Sequence, residues 1–450
     1  MWFSFLVFQL RFCEFSGKLN YWQYGPVIQL NQSNRWAADF ASSLATQMDK
    51  QKGGKLLLPK SRGLIIKRLI HRTVAYCVEA LQLENVTVNM SWRPSQYLCS
   101  EKLRITYLLN DINPSRPYGG PGSENMRGHC LARALLKRGH DVSYTDLPHL
   151  FETVRLYSPD FLIVVKSLRW LKSTKWTQLA PTYLVKLADL NVSIVYDQVD
   201  GVPPLDLLGR LQFERWRNFP PGISAVVTNN FLLKVAIEKH MGRLATVIPH
   251  QNCNNFKFMR KNRSSPVRVV GLIGEFARGA HTVTTDILLR HLKVWGRVNN
   301  IEIRTGFTVG NGYQVTELQR LFNSDLTDVG RQSGFYLGYQ DVDIAVVWPP
   351  DSSSSFFCVK PAGRPAIWWS LGVPVIMYPN LSYLELISKH GYPLVASSVE
   401  DVISLLDQLV ICAEFRNLCA EVGLAISEEL DVNVVAGQFA GELCEIKRKR

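Results

Sequence analysis

Apolar residues along this chain gather in short runs that alternate with stretches spaced at helical period, the pattern of parallel strands joined by crossover helices. The run LRITYLL predicts a strand over Leu103–Leu109. Ser123 then suits a helix N-cap with Glu124 in the first turn. Met126, Cys130, Leu131, Ala134 and Leu135 share one face of that helix, and Gly139 ends it before a strand at Asp141–Tyr144. Strands follow at Phe161–Val165, Val192–Tyr196, Ala225–Thr228 and Thr246–Ile248, with helical spacing at Tyr183–Leu190 and Phe231–Lys239. At Pro249 the alternation breaks into HQNCNNFKFMRKNRSSP, polar and basic, which reads as a linker. A second series opens with RVVGLIGEF and runs through a helix at Thr285–Val294, a strand at Ile301–Thr305 and a helix at Val315–Phe322 to a strand at Ile344–Val347.

The stretch CVKPAGRPAIWWSLGVPVIMYPNLSYLELISKHGYPLVA, Cys358 to Ala396, reads as one αβ unit followed by a further helix. Pro361 suits a first helical turn, Ile367, Trp368 and Leu371 share an apolar face, and Gly372 ends the helix. Trp368 and Trp369 read as core, since a helix facing a sheet buries such side chains. Val373 and Val375–Met377 form a buried strand, with Pro374 at its start, where no ladder donor is needed. Pro379 and Asn380 turn the chain, and Ser382 is the expected N-cap of a helix carrying Tyr383, Leu384, Leu386 and Ile387. That helix start faces the C-terminal end of the strand, where parallel sheets take ligands and free amides suit an anion such as a diphosphate. Lys360 and Arg364 lie four apart, so on a helix they add cationic charge to the same site or form a solvated basic helix start. Helices are then predicted at Val399–Cys412, Phe415–Glu429 and Val432–Lys447, with the terminal KRKR as a solvated tail.

The pattern thus gives an α/β chain with two doubly wound parallel sheets facing each other across a cleft. Its divisions are an N-terminal extension (1–101), a first domain (102–252), a linker (253–266), a second domain (267–430) and a C-terminal helix with basic tail (431–450). In the extension, Lys60, Lys67, Arg68 and Arg72 alternate with Leu64, Ile65, Ile66 and Leu69. Such a basic amphipathic face packs on a neighbouring domain, the commoner use, or lies on a membrane surface. MWFSFLVFQL at the start is shorter than a bilayer span and lacks a basic flank, so it reads as a short signal-like or anchoring segment, and the chain is expected to be cytoplasmic or peripheral to a membrane.

The net charge of +13 is spread out and not interleaved with aromatics, so nucleic acid is not an expected partner, whereas an anionic substrate or membrane surface suits it. Nine cysteines without a CxxC pair or metal-ligand spacing read as reduced, mostly buried thiols. Gly119, Gly120 and Gly122 let the backbone approach a ligand closely, but GxGxxG would require glycine at Asn125, so a nicotinamide dinucleotide is not expected. Asp197 and Asp200 follow a strand and are candidate cleft carboxylates; capping aspartates are the commoner outcome in such loops. His250 reads as a structural loop histidine.

Three segments carry a resemblance to a family. PYGGPGSENMRGHCLARALLKRGHDVSY is similar to the glycine loop, first helix and following strand of the two-Rossmann-domain (GT-B) nucleotide-sugar glycosyltransferases, the family 4 group above all. SLGVPVIMYPNLSYLELISKHGYPLVASSVEDVISLLDQL resembles their donor-domain segment, and VTNNFLLKVAIEKHMGRLATVIPHQ the end of their first domain. The resemblance covers roughly Leu103 to Glu445 and implies two Rossmann-like domains, an acceptor domain followed by a donor domain. It implies a nucleoside diphosphate sugar as co-substrate, an acceptor it leaves open, transfer of the sugar between them, and no metal or other cofactor, because helix dipoles and cations neutralise the leaving diphosphate. It assigns Gly119 and Gly120 to the transferred sugar or diphosphate, Gly274 and the nearby Arg278 to the first donor loop, and Ser382 and Tyr383 to the phosphate-facing helix start. Glu385 takes the acidic position that commonly contacts the ribose, and Lys360 and Arg364 are candidates to clamp the diphosphate. Lys166 stands where the family often carries histidine and, with Asp200, is the candidate for catalysis. The family's paired glutamates fall on Val359 and Ile367, so both carboxylates are absent. That departure motivates an alternative, a non-catalytic protein of the same fold that binds a nucleotide or carbohydrate.

Overall fold

The computed structural model describes residues 39, 41–43, 45–46, 60–81, 83, 99–109, 124–165, 186–187, 189–197, 223–252, 265–274, 283–307, 342–348 and 361–449. Two separate parallel sheets organise them. The first has six strands in the order β2-β1-β3-β4-β5-β6: β1 (Arg104–Leu108), β2 (Asp141–Thr145), β3 (Phe161–Val165), β4 (Ser193–Asp197), β5 (Ile223–Thr228) and β6 (Ala245–Val247). The second has four in the order β10-β9-β7-β8: β7 (Val269–Gly274), β8 (Glu302–Phe307), β9 (Ile344–Val347) and β10 (Val375–Met377). The described helices are α1 (Lys60–Ala80), α2 (Leu131–Lys137), α3 (Leu150–Tyr157), α4 (Phe231–Met241), α5 (Val283–Asn299), α6 (Gly363–Ser370), α7 (Leu381–His390), α8 (Val399–Ile411), α9 (Ala413–Glu429) and α10 (Val432–Arg448). The predicted helix at Val315–Phe322 lies outside the described residues, as does half of that at Tyr183–Leu190.

Period-two burial divides the first sheet between two cores. Ile105, Tyr107, Phe161, Ile163, Val165 and Val195 face α2 and α10, whose Leu131, Leu135, Phe439 and Leu443 complete that core. Leu162, Val164, Ile194 and Tyr196 face the other way, into a core that continues through α1 and α4 to the second sheet. Residues before Leu131 form a π-helical turn, Glu124–Cys130, where the sequence predicts an ordinary α-helix. Gly128 sits tight there: a Cβ would come within 2.7 Å of Leu109 Cδ2.

The amphipathic face of α1 is occupied by the interior, with Ile66, Ile70, Val74 and Val78 buried and Arg68 and Arg72 exposed, and the helix packs on α7. The C-terminal helix forms where the sequence predicts it, and the structure supplies its partner. α10 crosses back to the first sheet and buries Val435, Ala436, Phe439, Ala440 and Leu443 against it. The basic tail is exposed from Lys447 to Lys449, as expected, with Lys447 pairing to Glu101 at 3.1 Å and to Asp160 at 3.5 Å. Cys99 and Cys444 form a disulfide between the segment before β1 and α10, so the expectation of reduced thiols does not hold for that pair. Among the described residues no helix is long and apolar enough to cross a membrane.

Candidate functional site

In each sheet the strand order reverses beside one central strand, and the crevice above the C-terminal ends at that reversal is where open parallel sheets bind ligands. In the first sheet the reversal lies between β1 and β3. The segment after β1 carries Gly119 and Gly120, and that after β3 begins with Lys166; all three lie outside the described residues, as does Asp200 beyond β4. In the second sheet it lies between β7 and β9. Gly274 is the last residue of β7, and the segments that follow β7 and β9 carry Arg278 and Lys360, both outside the described residues. The second of these segments leads into α6, whose first turn carries Arg364.

α7 starts at the same edge, four residues after β10 ends. Asn380, not Ser382, is its N-cap: the Asn380 Oδ1 accepts from the Ser382 amide at 2.9 Å. The helix begins two residues earlier than expected because a cap asparagine already supplies the acceptor that serine was expected to give. Ser382 is buried at 3 % exposure and meets the first lobe instead. Its hydroxyl accepts from Asn230 Nδ2 at 3.3 Å and donates to Asn229 Oδ1 at 3.5 Å. Asn230 also caps α4, its Oδ1 accepting from the Leu233 amide at 2.8 Å. Glu385 completes the contact, one carboxylate oxygen accepting from the Phe231 amide at 2.9 Å. A carboxylate on the first amide of α4 also suits that helix's positive end. Burial pushes the Glu385 carboxyl up to about 8, against the opposing pull of the Phe231 amide and Lys389. Burial likewise pushes the Tyr383 phenol up to about 12, and the nearby Arg364 charge lowers it in part.

Asp197 does not stand open to the cleft. It is 1 % exposed at the end of β4, and Arg127 of the π turn, 2 % exposed, holds both of its oxygens, Nε to Oδ2 at 2.9 Å and Nη2 to Oδ1 at 3.2 Å. At that burial the carboxylate presents no accessible surface to a substrate. Burial raises the Asp197 carboxyl and Arg127 pulls it back. Arg127 Nη1 also donates to the Pro249 carbonyl at 3.0 Å and to Gln251 Oε1 at 3.2 Å, at the point where the chain leaves the first lobe. The adjacent His250 lies over Gly363, where a Cβ would come within 3.0 Å of His250 Cδ2.

The structure thus brings Arg364, Ser382, Tyr383 and Glu385 to one sheet edge and adds Arg127, Asn229 and Asn230, which the sequence reading passed over. Arg127 shares an apolar face with Leu131 and Ala134 at i, i+4 and i+7, a signal of burial; TNNFLL before a helix is a cap signature. Among the described residues no group of three or more His, Cys, Asp or Glu side chains stands ready to hold a metal.

Two doubly wound parallel sheets with a helix-lined edge at each reversal define the two-domain Rossmann-like GT-B fold. Solved structures of that class are similar to this chain. One is a glycosyltransferase from Rickettsia africae ESF-5, with a TM-score of 0.55 and 11 % identity over 78 % of this chain and 100 % of that one. Another is a trehalose-6-phosphate synthase, with a TM-score of 0.51 and 8 % identity over 76 % of this chain and 99 % of that one. No protein-family model matches the sequence, and no curated protein matches it.

Proposed function

We propose that this chain is a glycosyltransferase-like protein that takes a nucleoside diphosphate sugar at the reversal edge of its second sheet and passes the sugar to an acceptor held by the first lobe. The observation that carries the reading is the convergence at one edge of the end of β7, the Arg364 turn of α6 and the start of α7. Two helix starts and a guanidinium offer a diphosphate both dipole and charge. In this reading Arg364, with Lys360, clamps the leaving diphosphate, Gly274 and Arg278 border it, and Gly119 and Gly120 admit the sugar from the first lobe. Asp200 acts as base toward the acceptor, and Lys166 supports charge at the transferred group. Glu385 stands at the ribose position of the family, with one carboxylate oxygen given to the Phe231 amide. The likeness to a glycosyltransferase and to a trehalose-6-phosphate synthase supports the class through the fold alone.

Thermal melting with UDP or GDP tests the proposal: a rise in melting temperature is expected, lost in the double variant Lys360→Ala with Arg364→Ala. No shift with any nucleoside diphosphate overturns it. A second reading, a binding protein without transfer, is favoured by Ile367, which stands at one of the family's glutamate positions and packs its side chain on the core. Nucleotide binding without transfer to any acceptor selects that reading.

A further inference from the structure

We infer that Arg127 is a positioning residue that clasps the segment by which the chain crosses between lobes, and through it holds the Arg364 end of α6 against the first lobe. The inference deepens the nucleotide-donor reading and rests on it only for one arm of the test below.

The guanidinium divides its donors between two tasks. Nε and Nη2 face the Asp197 carboxylate, while Nη1 serves Pro249 and Gln251. A cation buried only to balance Asp197 would need the first set alone; the second ties it to a segment more than a hundred residues away. That segment reaches the second lobe within three residues. His250 rests on Gly363, and Asn252 Nδ2 donates to the Ala366 carbonyl of α6 at 3.4 Å. Asn252 also joins the returning chain, its amide donating to the Leu430 carbonyl at 2.6 Å and its backbone bridging to Asp431. Both passages of the chain between the lobes therefore run side by side, and one buried arginine anchors the outgoing one. Arg127 rides on a π turn, a distortion that costs helix stability and is concentrated at functional sites. That turn follows the glycine segment of the first sheet's reversal edge, so the clasp joins the ligand edge of one lobe to the ligand edge of the other.

A buried ion pair that merely stabilises the first lobe is the competing account. Gln251→Met separates the two, because it cuts an arm to the crossing segment and leaves the Arg127–Asp197 pair whole. Hydrogen exchange on the full-length protein is the readout. Exchange in α6 is expected to rise about tenfold, the effect of losing a hydrogen bond to a charged group, with β1 and β4 unchanged. A neutral pair, Arg127→Met with Asp197→Asn, is expected to give the same α6 signature even where it lowers overall stability. By calorimetry, UDP or GDP affinity should weaken in step with the loosening of α6. Unchanged α6 protection in Gln251→Met, or loosening spread evenly over both lobes, overturns the clasp. Loosened α6 with unaltered nucleotide affinity overturns its role in placing Arg364. Should the unmodified protein bind no nucleotide, the donor reading fails while the exchange measurement still decides the clasp.

Discussion

Glu385 links the two lobes through a single proton-sensitive group. Its carboxyl is raised from an ordinary 4.5 to about 8, so between those values the folded protein holds a proton that the unfolded chain has released. Stability from this group is therefore fully present below about 4.5 and declines as pH climbs through about 8. Glu385→Gln keeps an oxygen for the Phe231 amide and has no proton to lose. Denaturant midpoints measured from pH 5 to 9 should flatten over that interval in the variant, and an unaltered slope would assign the pH dependence elsewhere. At this scale the sequence was legible where a residue's own type dictates its role. The caps Asn380 and Asn230 were passed over although each sits one position before an apolar helix, but buried Trp368 and Trp369 follow from a helix lying on a sheet. Asp197 was not, because its partner Arg127 lies 70 residues away, and no local pattern pairs them. Glu385 matched an acidic position shared with a family, yet here the carboxylate satisfies a backbone amide of the other lobe.

Among elements, α6 crosses α9 at close quarters. A Cβ on Gly423 would come within 2.5 Å of Trp369 Cδ1, and that indole is wholly buried with an edge-on contact to Tyr392 at 5.5 Å. Gly423→Ala gains about 1 kcal/mol of helix propensity but overpacks an indole with no room to retreat, at about 1–3 kcal/mol. A net loss of up to about 2 kcal/mol is expected in denaturant titration, and a gain would mean that the crossing tolerates spreading. Since α6 carries Arg364, the same variant should also weaken nucleotide binding. Strands were legible to within about two residues at either end, since runs such as Phe161–Val165 are buried along their whole length and have no competing helical period. The π turn was not, because Met126, Cys130 and Leu131 satisfy the spacing of an ordinary helix, and the close approach of Gly128 to Leu109 within that turn leaves no local pattern.

For the whole molecule, two parallel sheets were readable from the alternation of strands and helices, but the return of the last helix to the first of them was not. Its apolar stripe fits any sheet face, and only the three-dimensional course of the chain gives it to the first lobe. Truncation after Leu430 removes Val435, Ala436, Phe439, Ala440, Leu443, Cys444 and Ile446 from that core. At about 1.5–3 kcal/mol for each large side chain, the loss is comparable with the whole stability of a domain. The shortened protein should lose the cooperative melting of its first lobe and aggregate, and a soluble product with an unchanged transition would show the helix to be dispensable. The same course of chain sets a timetable for biosynthesis. Strands β1 to β6 emerge early from the ribosome, yet the layer that seals one side of them is translated last. The opening half must wait, partly uncovered, until Ile446 arrives, which makes nascent-chain chaperones the natural guardians of that interval.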